Sequence, residues 1–219
     1  MSLRITEIYP CILGESTLAG LPCTLVRLTG CPLRCRYCDT EYAFHGGEVL
    51  EVADIVARVQ KEGLPLVLVT GGEPLIQKDA PALVGALLDA GFGVQVETSG
   101  AVDTSCLPEG THVVLDLKCP DSGESHRMDW NNIAALRSRT DGSTRGDVKF
   151  VVSSRSDYEW SRDVIREHGL EDCANVLFSP AFGVVDPQDL AAWILEDRLR
   201  ARLHLQIHKL VWEPDARGV

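Results

Sequence analysis

Short apolar stretches alternate with amphipathic ones along most of this chain, and that alternation limits the folds open to it. Seven stretches are short, rich in β-branched residues and almost continuously apolar, at 24–30, 65–71, 93–99, 112–118, 147–153, 175–180 and 203–209. Such runs are typical of strands buried on both faces of a parallel sheet. Amphipathic segments at 50–62, 79–91, 155–169 and 187–200 lie between them. The repetition predicts an α/β protein with a mainly parallel sheet.

Helix-end signals support two of the amphipathic segments. The first closes on Gly63, and the second begins with Asp79 as N-cap, has Pro81 in its first turn and ends at Gly91. Residues 119–146 interrupt the rhythm, because they are rich in Gly, Ser, Asp and Arg, and they predict a loop with at most a short helix near 129–138. No second-domain boundary is visible, so residues 1–219 are expected to form a single domain.

Charge and hydropathy exclude several classes of partner. The formal net charge is −11 over 219 residues, and such a field repels polyanions, which argues against nonspecific binding to nucleic acid or to an anionic membrane. The longest apolar runs, 64–69 and 190–195, are too short to span a bilayer. The first ten residues contain no apolar signal segment. We therefore expect a cytoplasmic protein with reduced thiols.

Three of the eight cysteines, Cys31, Cys35 and Cys38, form a C-x3-C-x2-C cluster directly after a predicted strand. In a reducing compartment such a cluster indicates metal binding or redox chemistry. A structural zinc site needs four protein ligands, and His45 is the candidate fourth. A thioredoxin-type pair leaves Cys31 unexplained. Three thiolates on one loop can instead hold three irons of a 4Fe-4S cluster and leave the fourth iron open to an exchangeable ligand.

Two further motifs follow predicted strands. "TGGEP" at 70–74 offers glycines that let a ligand approach the backbone and an acid, Glu73, suited to an ammonium group. "VETSG" at 96–100 places polar side chains at the end of the next strand. In parallel α/β sheets ligands collect at the carboxyl ends of the strands, so both motifs are expected beside the cysteine loop.

The cysteine spacing, with Tyr37 just before the last cysteine, resembles the radical S-adenosylmethionine (SAM) superfamily. Within it the chain resembles the 7-carboxy-7-deazaguanine synthase family over nearly its whole length. The segments that carry this likeness are "ITEIYPCILGEST", "LPCTLVRLTGCPLRCRYCDT", "VTGGEPLIQ", "QVETSG", "DVKFVV" and "LHLQIHK".

The resemblance implies a partial, incomplete TIM-like barrel with a reduced set of helices. It also implies a lyase that converts 6-carboxy-5,6,7,8-tetrahydropterin to 7-carboxy-7-deazaguanine by radical ring contraction with loss of ammonia, in queuosine and 7-deazapurine biosynthesis. The implied cofactors are a 4Fe-4S cluster, SAM and Mg²⁺. The implied partners are the small pterin substrate, an electron donor such as flavodoxin or ferredoxin, and a second copy of the chain in a homodimer.

Residue roles transfer from the family's motifs as follows. The cluster ligands are Cys31, Cys35 and Cys38, and Thr40 matches the magnesium ligand. The positions that match SAM contacts are Tyr37, Gly72, Glu73, Ser99, Lys118, Ser179, Pro180, Ala181 and Phe182. The positions that match pterin contacts are Ile12, Leu13, Gly14, Glu15, Arg27, Thr70 and His208.

The chain departs from the family pattern at three places. Leu13 stands where the family often has Gln, so a contact there is expected through the backbone. Asp116-Leu117-Lys118 replaces a common Ser-Pro-Lys, and the chain continues past His208-Lys209 with "LVWEPDARGV".

Two other functions remain alternatives on sequence grounds. An activase for a glycyl-radical enzyme shares the cysteine spacing, but it has no evident need of Asp39-Thr40 or His208-Lys209. A zinc-stabilised binding module is the non-enzyme alternative. The remaining cysteines, at 11, 23, 106, 119 and 173, are expected to be small buried hydrophobes or surface thiols without chemistry.

Overall fold

One nine-stranded sheet carries six helices in the computed structural model, which describes residues 1–139 and 146–219. The strands are β1 (Ser2–Ile12), β2 (Pro22–Leu28), β3 (Glu48–Glu51), β4 (Leu66–Gly71), β5 (Gly93–Thr98), β6 (His112–Asp116), β7 (Asp147–Val152), β8 (Asn175–Pro180) and β9 (Ala201–Leu203). The helices are α1 (Val52–Glu62), α2 (Ala80–Asp89), α3 (Asn131–Ser138), α4 (Arg155–His168), α5 (Pro187–Asp197) and α6 (His208–Val211).

The strand order is β3-β1-β2-β4-β5-β6-β7-β8-β9, so the sheet stays open between β3 and β9. All neighbours from β2 to β9 run parallel, whereas β1 pairs antiparallel with both β2 and β3. The mainly parallel sheet and the incomplete barrel are confirmed. The hydropathy pattern did not predict the antiparallel edge strand β3, because it has only four residues and three of them are exposed.

Alternation along the strands gives the sheet two different faces. Val67 and Val69 of β4 belong to the large core under the helices, while Leu66 and Leu68 belong to a small apolar cluster on the opposite face. Further along the strands, that second face carries polar side chains. The helices therefore cover one face completely and leave the other for a site.

Most predicted elements are found within two residues of their predicted bounds. Gly63 ends α1 in the left-handed conformation, with φ 68°. Asp79 stands at the N-cap of α2, but its carboxylate accepts a hydrogen bond from the Ser2 amide (3.2 Å) instead of capping the helix. Between 119 and 146 the described part contains two 3-10 turns and α3, and residues 140–145 lie outside the described ranges.

The predicted strand at 203–209 is wrong. The sheet keeps only Ala201–Leu203, after which the chain turns towards the loop that follows β1, where the Ile207 amide donates to the Gly14 carbonyl (3.1 Å). The apolar residue at the start of this stretch does not enter the core, since Leu203 is exposed and His204 is buried. His208 opens α6.

No helix among the described residues is long and apolar enough to cross a membrane.

Candidate active site

The loop that carries the three cysteines follows β2 and is held at both ends. The Gly30 amide donates to the Ala43 carbonyl (2.8 Å), and the Gly30 carbonyl accepts from the Glu73 amide (2.9 Å). Leu33, between the first two cysteines, is buried and anchors the loop in the main core. All three thiols are half-buried and unbridged. A single loop thus presents three sulfur ligands at the carboxyl end of the sheet.

Burial raises the pKa of all three thiols, that of Cys35 to about 11, although the nearby Lys118 ammonium opposes the shift. Only the thiolate binds metal, so iron must displace these protons when it binds. Among residues 1–139 and 146–219, no three His, Cys, Asp or Glu side chains converge as ligands of one ion. In a 4Fe-4S cluster the three thiolates bind three separate irons, so they need not converge on one ion.

Gly72 packs directly against the cysteine loop. A Cβ at this position would lie 2.5 Å from the Cys31 Cβ and 2.5 Å from the Gly30 carbonyl oxygen. Only glycine therefore allows the end of β4 to approach the loop this closely.

Glu73 is completely buried, and its carboxylate is surrounded by donors. It accepts from the Thr98 hydroxyl (2.9 Å), the Ser99 amide (2.7 Å), the Ser99 hydroxyl (2.5 Å) and the Leu75 amide (3.0 Å). The carboxylate thus ties the ends of β4 and β5 together from inside the protein. The Thr98 and Ser99 hydroxyls are therefore fixed at the tip of β5 by a carboxylate that has no exposed surface of its own.

Lys118 and Asp116 continue the same edge at the end of β6, and they form an ion pair with a distance of 3.1 Å. The Oδ1 atom of Asp116 is buried and has no hydrogen-bond partner among the described residues. A buried acceptor without a donor is costly, so this atom suits a ligand hydroxyl or amine. The adenosyl group of SAM offers both.

The remaining positions matched to SAM lie on two neighbouring elements. Tyr37 donates to the Val151 carbonyl (3.4 Å), which places its ring over the end of β7. Ser179, Pro180 and Ala181 are buried at the end of β8, whereas Phe182 is half exposed. Ser99 and Ser179 thus lie at the carboxyl ends of β5 and β8 in the same sheet, and Tyr37 reaches the end of β7 from the cysteine loop.

A buried charged cluster occupies the second face of the sheet. Lys149 of β7 forms ion pairs with Glu15, from the loop after β1, and with Asp116 (3.1 Å). Glu15 also accepts from the side-chain amide of Gln206. Burial acts to raise the pKa of Glu15, but Lys149 outweighs it and the pKa falls well below the usual range. Burial raises the pKa of Glu97 of β5 to about 7, because the Lys149 ammonium offsets only part of the effect of burial there.

Arg27 and Thr70 face each other across β2 and β4 on the same face. The Arg27 Nε donates to Glu7 (2.6 Å), and both side chains are largely buried. Tyr9 and Tyr42 lie on the same guanidinium, with the Arg27 Cζ 5.8 Å from the centroid of the Tyr42 ring. The Thr70 hydroxyl donates weakly to Glu97 (3.5 Å).

The loop after β1 and the C-terminal segment meet above this cluster. Leu13 is fully buried, so it can reach a ligand only through its backbone. A Cβ on Gly14 would lie 2.0 Å from Nδ1 of His208, which makes this a contact of backbone with imidazole. Burial lowers the pKa of His208, so the ring is neutral near pH 7.

Thr40 lies beside an ion pair that connects the cysteine loop to α6. Its hydroxyl donates to Asp39 Oδ1 (2.8 Å), while Asp39 Oδ2 accepts from Lys209 (2.7 Å). Burial opposes the shift, but the Lys209 ammonium lowers the pKa of Asp39. The site therefore offers a magnesium ion one hydroxyl oxygen and a carboxylate that a lysine already shares. This donor set suits an ion that keeps most of its water ligands.

Sequence reasoning missed Lys149, Gln206 and the pairing of Asp39 with Lys209. Lys149 alternates with the apolar residues of "DVKFVV", and a charge inside a buried strand was the signal available. The two C-terminal contacts had no local signal, since they span 191 and 170 positions of the sequence.

Comparison with known proteins gives the family context of this geometry. The model of the Radical SAM superfamily matches residues 25–120. The chain is 43% identical to 7-carboxy-7-deazaguanine synthase of Koribacter versatilis over 99% of its own length and 100% of the relative. It is 42% identical to the enzyme of the same name from Chlorobaculum tepidum, with 99% and 97% covered. The fold is similar to the crystal structure of QueE from Escherichia coli, with a TM-score of 0.77, 23% identity and 94% of each chain covered.

Proposed function

Because this chain belongs to the 7-carboxy-7-deazaguanine synthase family of radical SAM enzymes, we propose that it converts 6-carboxy-5,6,7,8-tetrahydropterin to 7-carboxy-7-deazaguanine on the second face of its sheet. The observation that carries this proposal is that the three-cysteine loop lies next to a buried cluster of Glu15, Lys149 and Asp116, since the Asp116 carboxylate acts to raise the pKa of Cys35. Membership of this family over the full length of the chain favours this function over both alternatives, the glycyl-radical activase and the zinc module.

Cys31, Cys35 and Cys38 would hold the 4Fe-4S cluster, and SAM would lie along the strand ends against Tyr37 and Gly72. When bound, the reduced cluster supplies an electron to SAM and so starts radical chemistry on the substrate. The backbone at Gly72 lets the cofactor approach the cysteine loop, where a side chain would collide with Cys31.

The other SAM contacts act from the strand ends. Glu73 keeps the Thr98 and Ser99 hydroxyls in place, and Asp116 presents its unpaired Oδ1. The remaining positions that we assign to the SAM site are Lys118, Ser179, Pro180, Ala181 and Phe182.

The pterin would lie between the loop after β1 and α6. Glu15 is held ionised by Lys149 and can accept hydrogen bonds from the aminopyrimidine edge. The backbone of residues 12–14 lines the ring plane, and neutral His208 closes the pocket from the C-terminal side. Thr70 completes the wall opposite.

Arg27 would bind the substrate carboxylate. Its Nε donates to Glu7, which fixes the plane of the guanidinium, and a guanidinium held in one plane suits a carboxylate. Magnesium at Thr40 would share the same carboxylate.

We further infer that residues 1–219 act as a single catalytic domain. An electron donor such as flavodoxin or ferredoxin would supply the reductant, and a homodimer would be the assembled form.

The test is an anaerobic assay of the reconstituted enzyme with the carboxy-tetrahydropterin, following the product by ultraviolet absorbance and mass. Arg27→Ala should raise KM by about 10–100-fold, since one charge-assisted contact contributes roughly 1.5–3 kcal/mol. Arg127→Ala is the matched control, because Arg127 is exposed on a 3-10 turn. Wild-type enzyme without turnover would refute the activity, and an unchanged KM in Arg27→Ala would refute only the anchor.

A further inference from the structure

Two cysteines outside the metal-binding loop lie in contact. Cys11 of β1 and Cys23 of β2 are direct partners in the antiparallel register, and their sulfur atoms are 3.5 Å apart. Cα atoms of directly opposed antiparallel residues are about 4.5–5.5 Å apart. This separation lies inside the range of about 4.4–6.8 Å that disulfides span. The backbone thus already has the spacing of a cross-link, and only the side chains must rotate.

The two thiols differ in how solvent reaches them. Cys23 is fully buried in the small apolar cluster with Leu25 and Leu68. Cys11 is half-buried and also lines a shallow surface cleft beside Trp212. A small oxidant can therefore reach Cys11 directly, and Cys23 only through Cys11.

The pKa values of the two thiols differ in the same order as their exposure, with the lower pKa at the more accessible Cys11. The hydrogen bond with Cys23 lowers the pKa of Cys11, whereas that interaction and burial raise the pKa of Cys23. Thiolate character favours attack on an oxidant. Cys11 is the first thiol to react, and Cys23 is the resolving thiol behind it.

We propose that Cys11 and Cys23 are a modification site, at which peroxide forms a reversible disulfide across β1 and β2. The Cys11 sulfur attacks the peroxide, forming an S–O bond while the O–O bond breaks, and the leaving hydroxide takes a proton to become water. The Cys23 sulfur then attacks Cys11, an S–S bond forms, the S–O bond breaks, and hydroxide leaves with the Cys23 proton as a second water. Two thiols and one hydrogen peroxide give one disulfide and two waters.

The position of the bond decides its effect. The loop of residues 13–21 leaves β1 after Ile12 and enters β2 at Pro22, one residue beyond the Cys11–Cys23 pair, and it carries Glu15. A disulfide between the two strands at the start and end of this loop restricts its movement, and Glu15 of the loop contacts Lys149 and Gln206. The proposal concerns thiols outside the cysteine loop, so it stands or fails independently of the proposed reaction.

The test is peptide mapping of the anaerobically reconstituted full chain after one equivalent of hydrogen peroxide. Trypsin cuts after Arg4 and Arg27, and an endoprotease specific for glutamate cuts after Glu7 and Glu15. Residues 8–15 and 16–27 then remain joined only through a Cys11–Cys23 disulfide. We expect the joined pair, lighter by two hydrogen atoms than the sum of the peptides, and its separation by dithiothreitol.

Two variants test the order of reaction. In Cys23→Ser a sulfenic acid should persist on Cys11 and be trapped by dimedone on residues 8–15, whereas Cys11→Ser should give no adduct on 16–27. The exposed Cys106 in the same sample reports that oxidant was present. Oxidised Cys106 with residues 8–15 and 16–27 separate would overturn the proposal. Equal dimedone labelling of Cys11 in wild type and Cys23→Ser would overturn it as well.

Discussion

Glu97 provides a direct test of the buried charged cluster, through the variant Glu97→Gln. Burial raises the pKa of Glu97 to about 7 in the folded chain, against about 4.3 in an unfolded one. Between these values the folded state holds a proton that the unfolded state has released, so stability falls as pH rises through this window. Above the folded pKa the loss is complete and constant.

The magnitude follows from the same shift. At about 1.4 kcal/mol per pKa unit, wild type should lose roughly 2–3 kcal/mol between about pH 5 and pH 8 through this group. Glutamine cannot titrate, and its amide can still pair with Gln95 and Thr70, which contact Glu97 at 3.2 Å and 3.5 Å. Glu97→Gln should therefore gain stability relative to wild type over that interval.

The assay is thermal unfolding of the metal-free full-length chain at several pH values. For a chain of this size a change of 1 kcal/mol moves Tm by about 2–4 °C, so the Tm difference between variant and wild type should grow by roughly 4–12 °C. Glu62→Gln, at the exposed end of α1, should follow the wild-type curve. Parallel curves for Glu97→Gln and wild type would refute the reasoning, because they would mean that Glu97 titrates with an ordinary pKa in this cluster.

Three further outcomes are expected. Cys35→Ala should abolish the 4Fe-4S absorbance and retain fewer irons per chain by anaerobic metal analysis, whereas Cys106→Ala should keep both, and the reverse result would contradict the ligand assignment. Thr40→Ala should turn over slowly and respond little to added magnesium while its cluster spectrum survives; magnesium stimulation equal to that of wild type would locate the metal elsewhere. Gly14→Ala should displace His208, because the new Cβ would lie 2.0 Å from its ring, and should raise KM for the pterin with the cluster spectrum unchanged; an unaltered KM would remove this contact from the binding site.

The fold was largely accessible from the sequence because its parallel strands are nearly continuous apolar runs. The predicted strands that correspond to β2 and to β4–β8, and the predicted helices, match the structure to within a few residues. The prediction failed at 203–209, where the chain leaves the sheet with Leu203 exposed and His204 buried. A short apolar run records composition and not which residues are buried, so it cannot show where a chain leaves the sheet.

The candidate site was accessible only where residues cluster in the sequence. The cysteine loop and Gly72-Glu73 have local spacing that indicates their chemistry. Lys149, in contrast, acquires its partners Glu15 and Asp116 only when strands and loops far apart in sequence meet. Tertiary ion pairs leave no local pattern, so such residues can be found from their context in the fold alone.

The ion pair of Lys209 with Asp39 has a consequence for biosynthesis of the protein. It joins α6 to the loop that presents the three thiols, across 170 positions of the sequence. Ribosomes release the N-terminal part of a chain first, at roughly 5–20 residues per second. The cysteine loop therefore emerges well before α6, and the ion pair forms only after the residues between them have been synthesised. We expect iron–sulfur insertion to be easiest in this interval, before Lys209 is present to pair with Asp39.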